Sequence, residues 1–435
     1  MSVVFRIGLI SIFTFSLLVI AYGQSDLETF LASQEDLTYE SIGKGDVEKY
    51  MVQVTQPVDH KNASGPSFTQ RVILTHASVD RPTVIQTQGY NVSDRKNEIV
   101  EILGGNSLNV EHRFFAKSVP EDKDWRYLTL EQATADLHKI RTIFGEFYTD
   151  KWVATGISKG GATTIYYEYF YPEDTDASIA YVAPISSSIE DKRIYKFLDT
   201  IGTAEDRKKI FKFQKYMFKN KDKVLDRLKW FAKGKGQTFD YLDGIEAAYE
   251  FAVLEYPFSI WQWGTAIEEI PIDKDLDKAI DHLMTVVGLD FYDDKTMDFF
   301  AAHYYQASTQ MGYYGFETAK FSRWIDKVGK NPSASFYPKD SNPTFDPSLA
   351  KSLEKWLDKD GNDLLYINGL YDTWAACRVL PSKRVNSKAY NLSHASHGDA
   401  RIVNMKPEMK EDFKEKLEEM LNRKVNLSVL EDEES

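Results

Sequence analysis

The feature that most constrains this chain is an alternation between residues 107 and 185. SLNVEHRF (107–114) has the composition of a strand, and TLEQATADLHKIRTIF (129–144) places Leu130, Ala133, Leu137, Ile140 and Phe144 at helical spacing. WVATGI is again strand-like, GATTIYYEYF reads as a helix, and SIAYVAPI returns to strand. Strand, helix, strand, helix, strand requires a mostly parallel sheet with helices on its faces. Thr129 and Gln132 supply the pattern of a capping box at the first helix. Upstream, YMVQVTQPV, QRVILTH and TVIQTQ add three β-branched runs bounded by Pro, Gly, Asn and Asp. From about 188 to 350 the alternation stops and helical patterns dominate. The sheet resumes at DLLYINGLYD and KAYNLSH, and PEMKEDFKEKLEEMLNRK closes as a helix with Met409, Phe413, Leu417 and Met420 on one face. The expected layout is an α/β core in two parts, 24–187 and 351–435, with a helical cap at 188–350 inserted between strands.

Composition narrows the class. A chain of 435 residues, 43% hydrophobic, can bury a large core, and a net charge of −13 spread over mixed segments argues against nucleic acid as a partner. Its single cysteine, Cys377, excludes an intramolecular disulfide. No HExxH or other ligand-spaced cluster calls for a metal, and no cofactor is expected. Residues 1–23 combine Arg6, an apolar run from Ile7 to Tyr22 and small residues near Gly23, the layout of a signal peptide. A secreted or periplasmic protein without stable membrane association after signal cleavage is therefore expected.

Gly156-Ile157-Ser158-Lys159-Gly160 fits GxSxG at the junction of a strand and a helix, the context of a nucleophile elbow. Side chains beside the serine would collide with the neighbouring strand and helix, which accounts for the glycines. A serine hydroxyl needs an imidazole base and an acid to orient it, in the order Ser, Asp or Glu, His for this topology. Asp372 ends the strand LLYIN and is the preferred acid; it would also serve as a turn aspartate capping TWAAC. HASHGDARI offers His394 and His397, with His397 preferred because the following glycine would let the loop turn its imidazole back. The backbone N–H of Lys159 is expected in the oxyanion hole, with a second donor from Gly89 or Tyr90, and the Lys159 ammonium at a rim carboxylate.

QPVDH (56–60), FTQRV (68–72), VEHRFF (110–115), DWRYLTLEQATADLH (124–138), TGISKGGATTIYYEYFYPEDTDASIAYVAPIS (155–186), WQWG (261–264), NGLYDTW (368–374) and HGDARI together resemble the bacterial prolyl tri/tetrapeptidyl aminopeptidases. The resemblance implies an α/β-hydrolase core, no cofactor, and Ser158, Asp372 and His397 as a triad. It also implies release of short amino-terminal peptides by cleavage after proline. QxxDH and EHR are similar to the related Pro-Xaa carboxypeptidases and dipeptidyl peptidases as well; Lys159, where those more often carry tyrosine, favours the first family.

The peptide substrates so implied have a free amino terminus, which calls for a carboxylate in a partly closed site. Glu255, Glu268, Glu269 and Glu317 are candidates, Glu255 first because it interrupts the apolar run FAVLEYPF. A flat apolar slot for proline would draw on Trp261, Trp263, Tyr313 and Tyr314. An esterase or lipase on the same fold, and a hydrolase-like binding module without turnover, are the alternatives from the residues alone.

Overall fold

A computed structural model of the chain describes residues 25–430 apart from 45–46, 96, 272–274 and 330–331. The expected signal peptide lies outside these residues. Nine strands form one sheet: β1 (Leu37–Ser41), β2 (Lys49–Pro57), β3 (Ser67–Thr75), β4 (Thr83–Thr87), β5 (Asn106–Val110), β6 (Trp152–Ile157), β7 (Ala177–Tyr181), β8 (Leu364–Gly369) and β9 (Lys388–Leu392). Their order is β1-β2-β3-β5-β4-β6-β7-β8-β9. The first three pairings are antiparallel, and every pairing from β5/β4 onward is parallel. A parallel sheet must be covered on both faces. β4, β5 and β7 are accordingly buried along their whole length.

The covering helices are α1 (Asp26–Ser33), α2 (Glu98–Leu103), α3 (Leu130–Gly145) and α4 (Lys159–Phe170). Between β7 and the rest of the sheet come α5 (Lys192–Leu198), α6 (Ala204–Lys219), α7 (Lys221–Lys235), α8 (Ile245–Gln262), α9 (Leu276–Val286) and α10 (Asp294–Gln306). The chain ends with α11 (Ser348–Lys359) and α12 (Pro407–Leu421). The cap helices have their own apolar cluster, which also takes in Cys377 and receives Tyr371 and Trp374 from beside β8. α8 is its axis: buried from Ala247 to Trp261 except at Pro257, as a helix that is apolar all round must be. α11 packs instead with α4 on the sheet, so residues 348–350, expected at the end of the cap, belong to a core helix.

Two local expectations are corrected. The strand read through SLNVEHRF stops at Val110, because Glu111 and Arg113 leave the ladder to form buried ion pairs. Arg71 Nε donates to Glu111 at 3.0 Å, and Arg113 Nε donates to Asp136 at 2.7 Å. At α3, Thr129 Oγ1 accepts from the Gln132 N–H at 3.2 Å, but the Gln132 amide turns away to Asp59 and the His60 N–H. Only half of the capping box forms.

Candidate active site

β6 enters α4 through Ser158, whose backbone is held at φ 59° and ψ −122°, a conformation few non-glycine residues adopt. A Cβ on Gly156 would lie 2.5 Å from the Gly160 carbonyl, and one on Gly160 would lie 2.3 Å from the Thr87 oxygen on β4. Neither position admits a side chain while the turn stays this tight, and the tightness presents Ser158 at the carboxyl end of the sheet.

Asp372 follows β8 and is 1% exposed. Its two oxygens are used differently: Oδ1 accepts from the Trp374 N–H at 3.0 Å, capping the turn Thr373–Cys377, and Oδ2 accepts from His397 Nδ1 at 2.6 Å. The capping bond thus fixes the carboxylate for the histidine. With Nδ1 donating, His397 Nε2 is left to accept a proton. His397 and Ser158 line one cavity of about 480 Å³. His394 is exposed, with its ring edge against Tyr371 at 4.8 Å.

The reason given for preferring His397 is corrected. Gly398 has open space around it and no left-handed backbone, whereas His394 itself takes the left-handed turn at φ 63°. The tight approach is at Gly369, where a Cβ would lie 2.5 Å from the Ala395 and Ser396 oxygens. The His397 N–H also donates to the Gln262 carbonyl at 2.8 Å, tying this loop to the end of α8.

On the other side of Ser158, a Cβ on Gly89 would lie 2.7 Å from Lys159 Cβ and 2.8 Å from the Gly160 nitrogen. This contact sets the Gly89–Tyr90 backbone beside the first turn of α4, where the N–H of Lys159 has no acceptor within the helix. The Lys159 side chain is not at the rim. It is 3% exposed, its amine has no hydrogen-bond partner, and Nζ lies 5.5 Å and 5.7 Å from the ring centroids of Phe115 and Tyr90. Burial holds its pKa well below the ordinary lysine value. The same apolar surroundings, and then Lys159, push His303 down to about 3 and His112 well below the usual range. The expected rim carboxylate is therefore replaced by an aromatic box around a buried amine.

The cap supplies the facing wall. Glu255, 5% exposed, lines the cavity and accepts from Tyr314 Oη at 2.9 Å and Ser259 Oγ at 3.1 Å. Burial raises its pKa to about 8. Tyr314 stacks on Phe258 at 4.0 Å and on Tyr313 at 4.4 Å, and Trp374 meets Phe258 edge-on at 5.1 Å. A π-helical turn, Ala307–Met311, followed by Gly312 at φ 72° brings Tyr313 and Tyr314 into this wall. Trp263 is 58% exposed at the mouth, its ring edge-on to His397 at 5.7 Å.

Other candidates fall elsewhere. Trp261 is packed on Tyr371 and, with Glu317, lines a separate cap cavity of about 440 Å³; Glu317 is paired with Lys320. Glu268 and Glu269 are exposed on a turn after α8 and do not line the cavity that holds Ser158 and His397. Phe258, Trp374 and His303 are wall residues that sequence reasoning missed. Trp374, two residues beyond Asp372 in NGLYDTW, was findable as an aromatic next to a strand-end acid.

A parallel sheet with a strained serine turn after its central strand, and an Asp–His pair on later strands opening on the same cavity, defines an α/β hydrolase. The model of the family PS-10 peptidase S37 matches residues 39–417. The chain belongs to this family of serine peptidases. The prolyl tri/tetrapeptidyl aminopeptidase of Streptomyces mobaraensis is 34% identical over 334 residues, 75% of this chain and 70% of that one. Among solved structures, the proline iminopeptidase of Mycobacterium smegmatis is 15% identical with a TM-score of 0.36, covering 85% of this chain and 97% of its own. An α/β fold family hydrolase from Bacillus anthracis is 12% identical with a TM-score of 0.34, covering 86% and 99%.

Proposed function

We propose that this peptidase removes tri- or tetrapeptides from a free amino terminus by cleaving after proline. Ser158 is the nucleophile, His397 the general base and Asp372 its orienter. His397 Nε2 takes the Ser158 hydroxyl proton as Oγ bonds to the carbonyl carbon. The N–H of Lys159 and that of Gly89 or Tyr90 receive the oxyanion. Collapse breaks the C–N bond, and the leaving amine takes the proton from His397. Water, deprotonated by the same imidazole, then hydrolyses the acyl-enzyme and releases the peptide ending in proline.

The observation that carries the direction of cleavage is Glu255, a buried carboxylate on the wall of the cavity that Ser158 and His397 also line. A desolvated carboxylate among aromatic rings favours a cation, and the amino-terminal ammonium is the cation a peptide brings. The rings of Phe258, Tyr313, Tyr314 and Trp374 offer the flat apolar faces that proline fits, with Trp263 at the entrance. The activity named for the Streptomyces mobaraensis relative supports the same reading.

The test compares a Xaa-Xaa-Pro-nitroanilide with its amino-acetylated form. Acetylation is expected to cost at least ~10-fold in kcat/KM, the size of an ion pair made in a desolvated site. Glu255→Gln should shrink that difference. Equal rates on both, or release of single residues from the carboxyl end, would overturn the aminopeptidase direction. Rapid turnover of simple acyl esters with no action on peptides would return the esterase.

No helix of the described residues is long and apolar enough to cross a membrane. Export through the amino-terminal signal is part of the proposal, and sequencing the amino terminus of the mature protein tests it.

A further inference from the structure

Helices α6 and α7 form the most basic part of the chain. Residues 204–236 hold twelve Lys and Arg against four Asp and Glu, in a chain whose total charge is −13. The hairpin is thus strongly positive and the remainder strongly negative. On α7, Val224, Leu225, Leu228 and Ala232 are buried and define the inner face. At about 100° per residue the opposite face centres on Trp230, with Lys223, Asp226, Arg227 and Lys233 within about 60° of it and Phe231 and Lys229 on its two flanks. Trp230 is 76% exposed and Phe231 is 49% exposed. Lys233 Nζ lies 5.7 Å from the Trp230 ring centroid, and Lys235 Nζ lies 4.7 Å from that of Phe231. Arg227 is paired with Asp277 and Lys235 with Asp290, whereas Lys223, Lys229 and Lys233 have no ion pair among the described residues.

We propose that the outer face of α7 docks on the surface of an anionic phospholipid bilayer. Trp230 and Phe231 enter at headgroup level, and Lys223, Lys229 and Lys233 meet the phosphates. Scattered surface aromatics need no explanation, but here Trp230 stands at the centre of the outer face and Phe231 on its flank, among cations that outnumber Asp222 and Asp226. A protein partner would have to offer a matching concavity; a bilayer is broad and deformable, and an indole ring with flanking lysines is the chemistry its interface takes up. The charge asymmetry orients the approach, since an anionic leaflet attracts the hairpin and repels the remainder. Such docking requires no spanning segment, so it amends the sequence expectation only by adding a reversible, salt-sensitive contact.

Co-sedimentation of the mature protein with phosphatidylcholine vesicles, with and without phosphatidylglycerol, tests this at low and high salt. Binding is expected only to the mixed vesicles and should be lost at high salt, where the screening length shrinks to a few ångströms. Lys223→Gln, Lys229→Gln and Lys233→Gln together should weaken it about 100-fold, at about fivefold per lysine. Trp230→Ala with Phe231→Ala should also abolish sedimentation. Both variants should keep full peptidase activity in solution, which reports that they fold. Failure to bind mixed vesicles, or binding unchanged in both variants, would overturn the proposal. Retention on immobilised polyglutamate without vesicle binding would overturn it in favour of an acidic macromolecule.

Discussion

The floor and the roof of the cavity that Ser158 and His397 line are built on different rules. On the floor, the sheet side, backbone contacts help fix each of the three proposed catalytic groups. Ser158 is held by the strained turn after β6, Asp372 by the Trp374 N–H, and His397 by Asp372 and, through its own N–H, by the Gln262 carbonyl. On the roof, Glu255 is held by the side chains of Ser259 and Tyr314, within stacked rings. Backbone constraints tolerate little change, whereas a side-chain wall can be rebuilt. Under the proposed function, chemistry would belong to the floor and choice of substrate to the roof.

The sharpest break in this comparison is removal of a floor group. Ser158→Ala should lower kcat by about 10⁶ and abolish fluorophosphonate labelling, with an unchanged circular dichroism spectrum. His397→Ala should cost about as much, whereas His394→Ala should cost less than about tenfold, because that ring rests exposed against Tyr371. A reversed ranking would move the base to His394.

A subtler test keeps the floor's shape and changes its hydrogen bonding. Asp372→Asn can still accept from the Trp374 N–H through its carbonyl oxygen, so melting temperature should move little. The amide would disturb the tautomer of His397, and kcat should fall about 10⁴-fold. Turnover near normal would assign the orienting role to another carboxylate.

Lys159 lies where floor meets side chain, and two substitutions separate its charge from its bulk. Its Cβ packs against Gly89, while its amine is buried, has no hydrogen-bond partner, and has its pKa lowered by burial. Lys159→Met keeps the aliphatic body and should retain kcat within about threefold. Lys159→Ala keeps the Cβ against Gly89 but empties the space beside Tyr90 and Phe115, which loosens the Gly89–Tyr90 loop and should cost roughly 10- to 100-fold in kcat with KM little changed, since a slack oxyanion donor is felt in the transition state. Equal losses in both would mean that the amine itself takes part.

The same division governs what could be read from sequence. The turn at Ser158 and the placement of Asp372 were legible because strand, tight turn and helix are local patterns. Glu255 stood out because a charge inside FAVLEYPF needs a partner or a purpose. Glu250, five residues earlier, shows the other outcome: it is saturated by Lys221 at 2.7 Å and by the N–H groups of Asp326, Lys327 and Val328. Nothing local distinguishes the two, since Glu250's partners lie up to 78 residues away. The aromatic box around Lys159 draws likewise on Phe115, His112 and His303, so its burial was not legible. Trp261, expected in the proline slot, lies elsewhere because α8 turns it into a neighbouring cavity, a matter of helix rotation that WQWG does not encode.

The smallest effect bears on the cost of the roof. Glu255 has its pKa raised by burial to about 8 in the folded chain, against an ordinary value of about 4.5. Between these values the folded state holds a proton that the unfolded state has lost, so this residue makes stability fall as pH rises from about 4.5 to about 8. Below that window the buried group is a neutral acid and imposes no charge penalty; above it a carboxylate must be kept among aromatic rings. Glu255→Gln removes the titration and preserves the approximate shape. The melting temperature of the variant should therefore match the parent near pH 5 and exceed it by a few degrees at pH 8.5, where a change of order 1 kcal/mol shifts the midpoint by ~2 °C in a chain of this size. Differential scanning calorimetry at the two pH values measures it. A constant difference would mean that Glu255 stays charged throughout, and the roof would then hold a permanent anion in place of one whose charge develops as a substrate ammonium arrives.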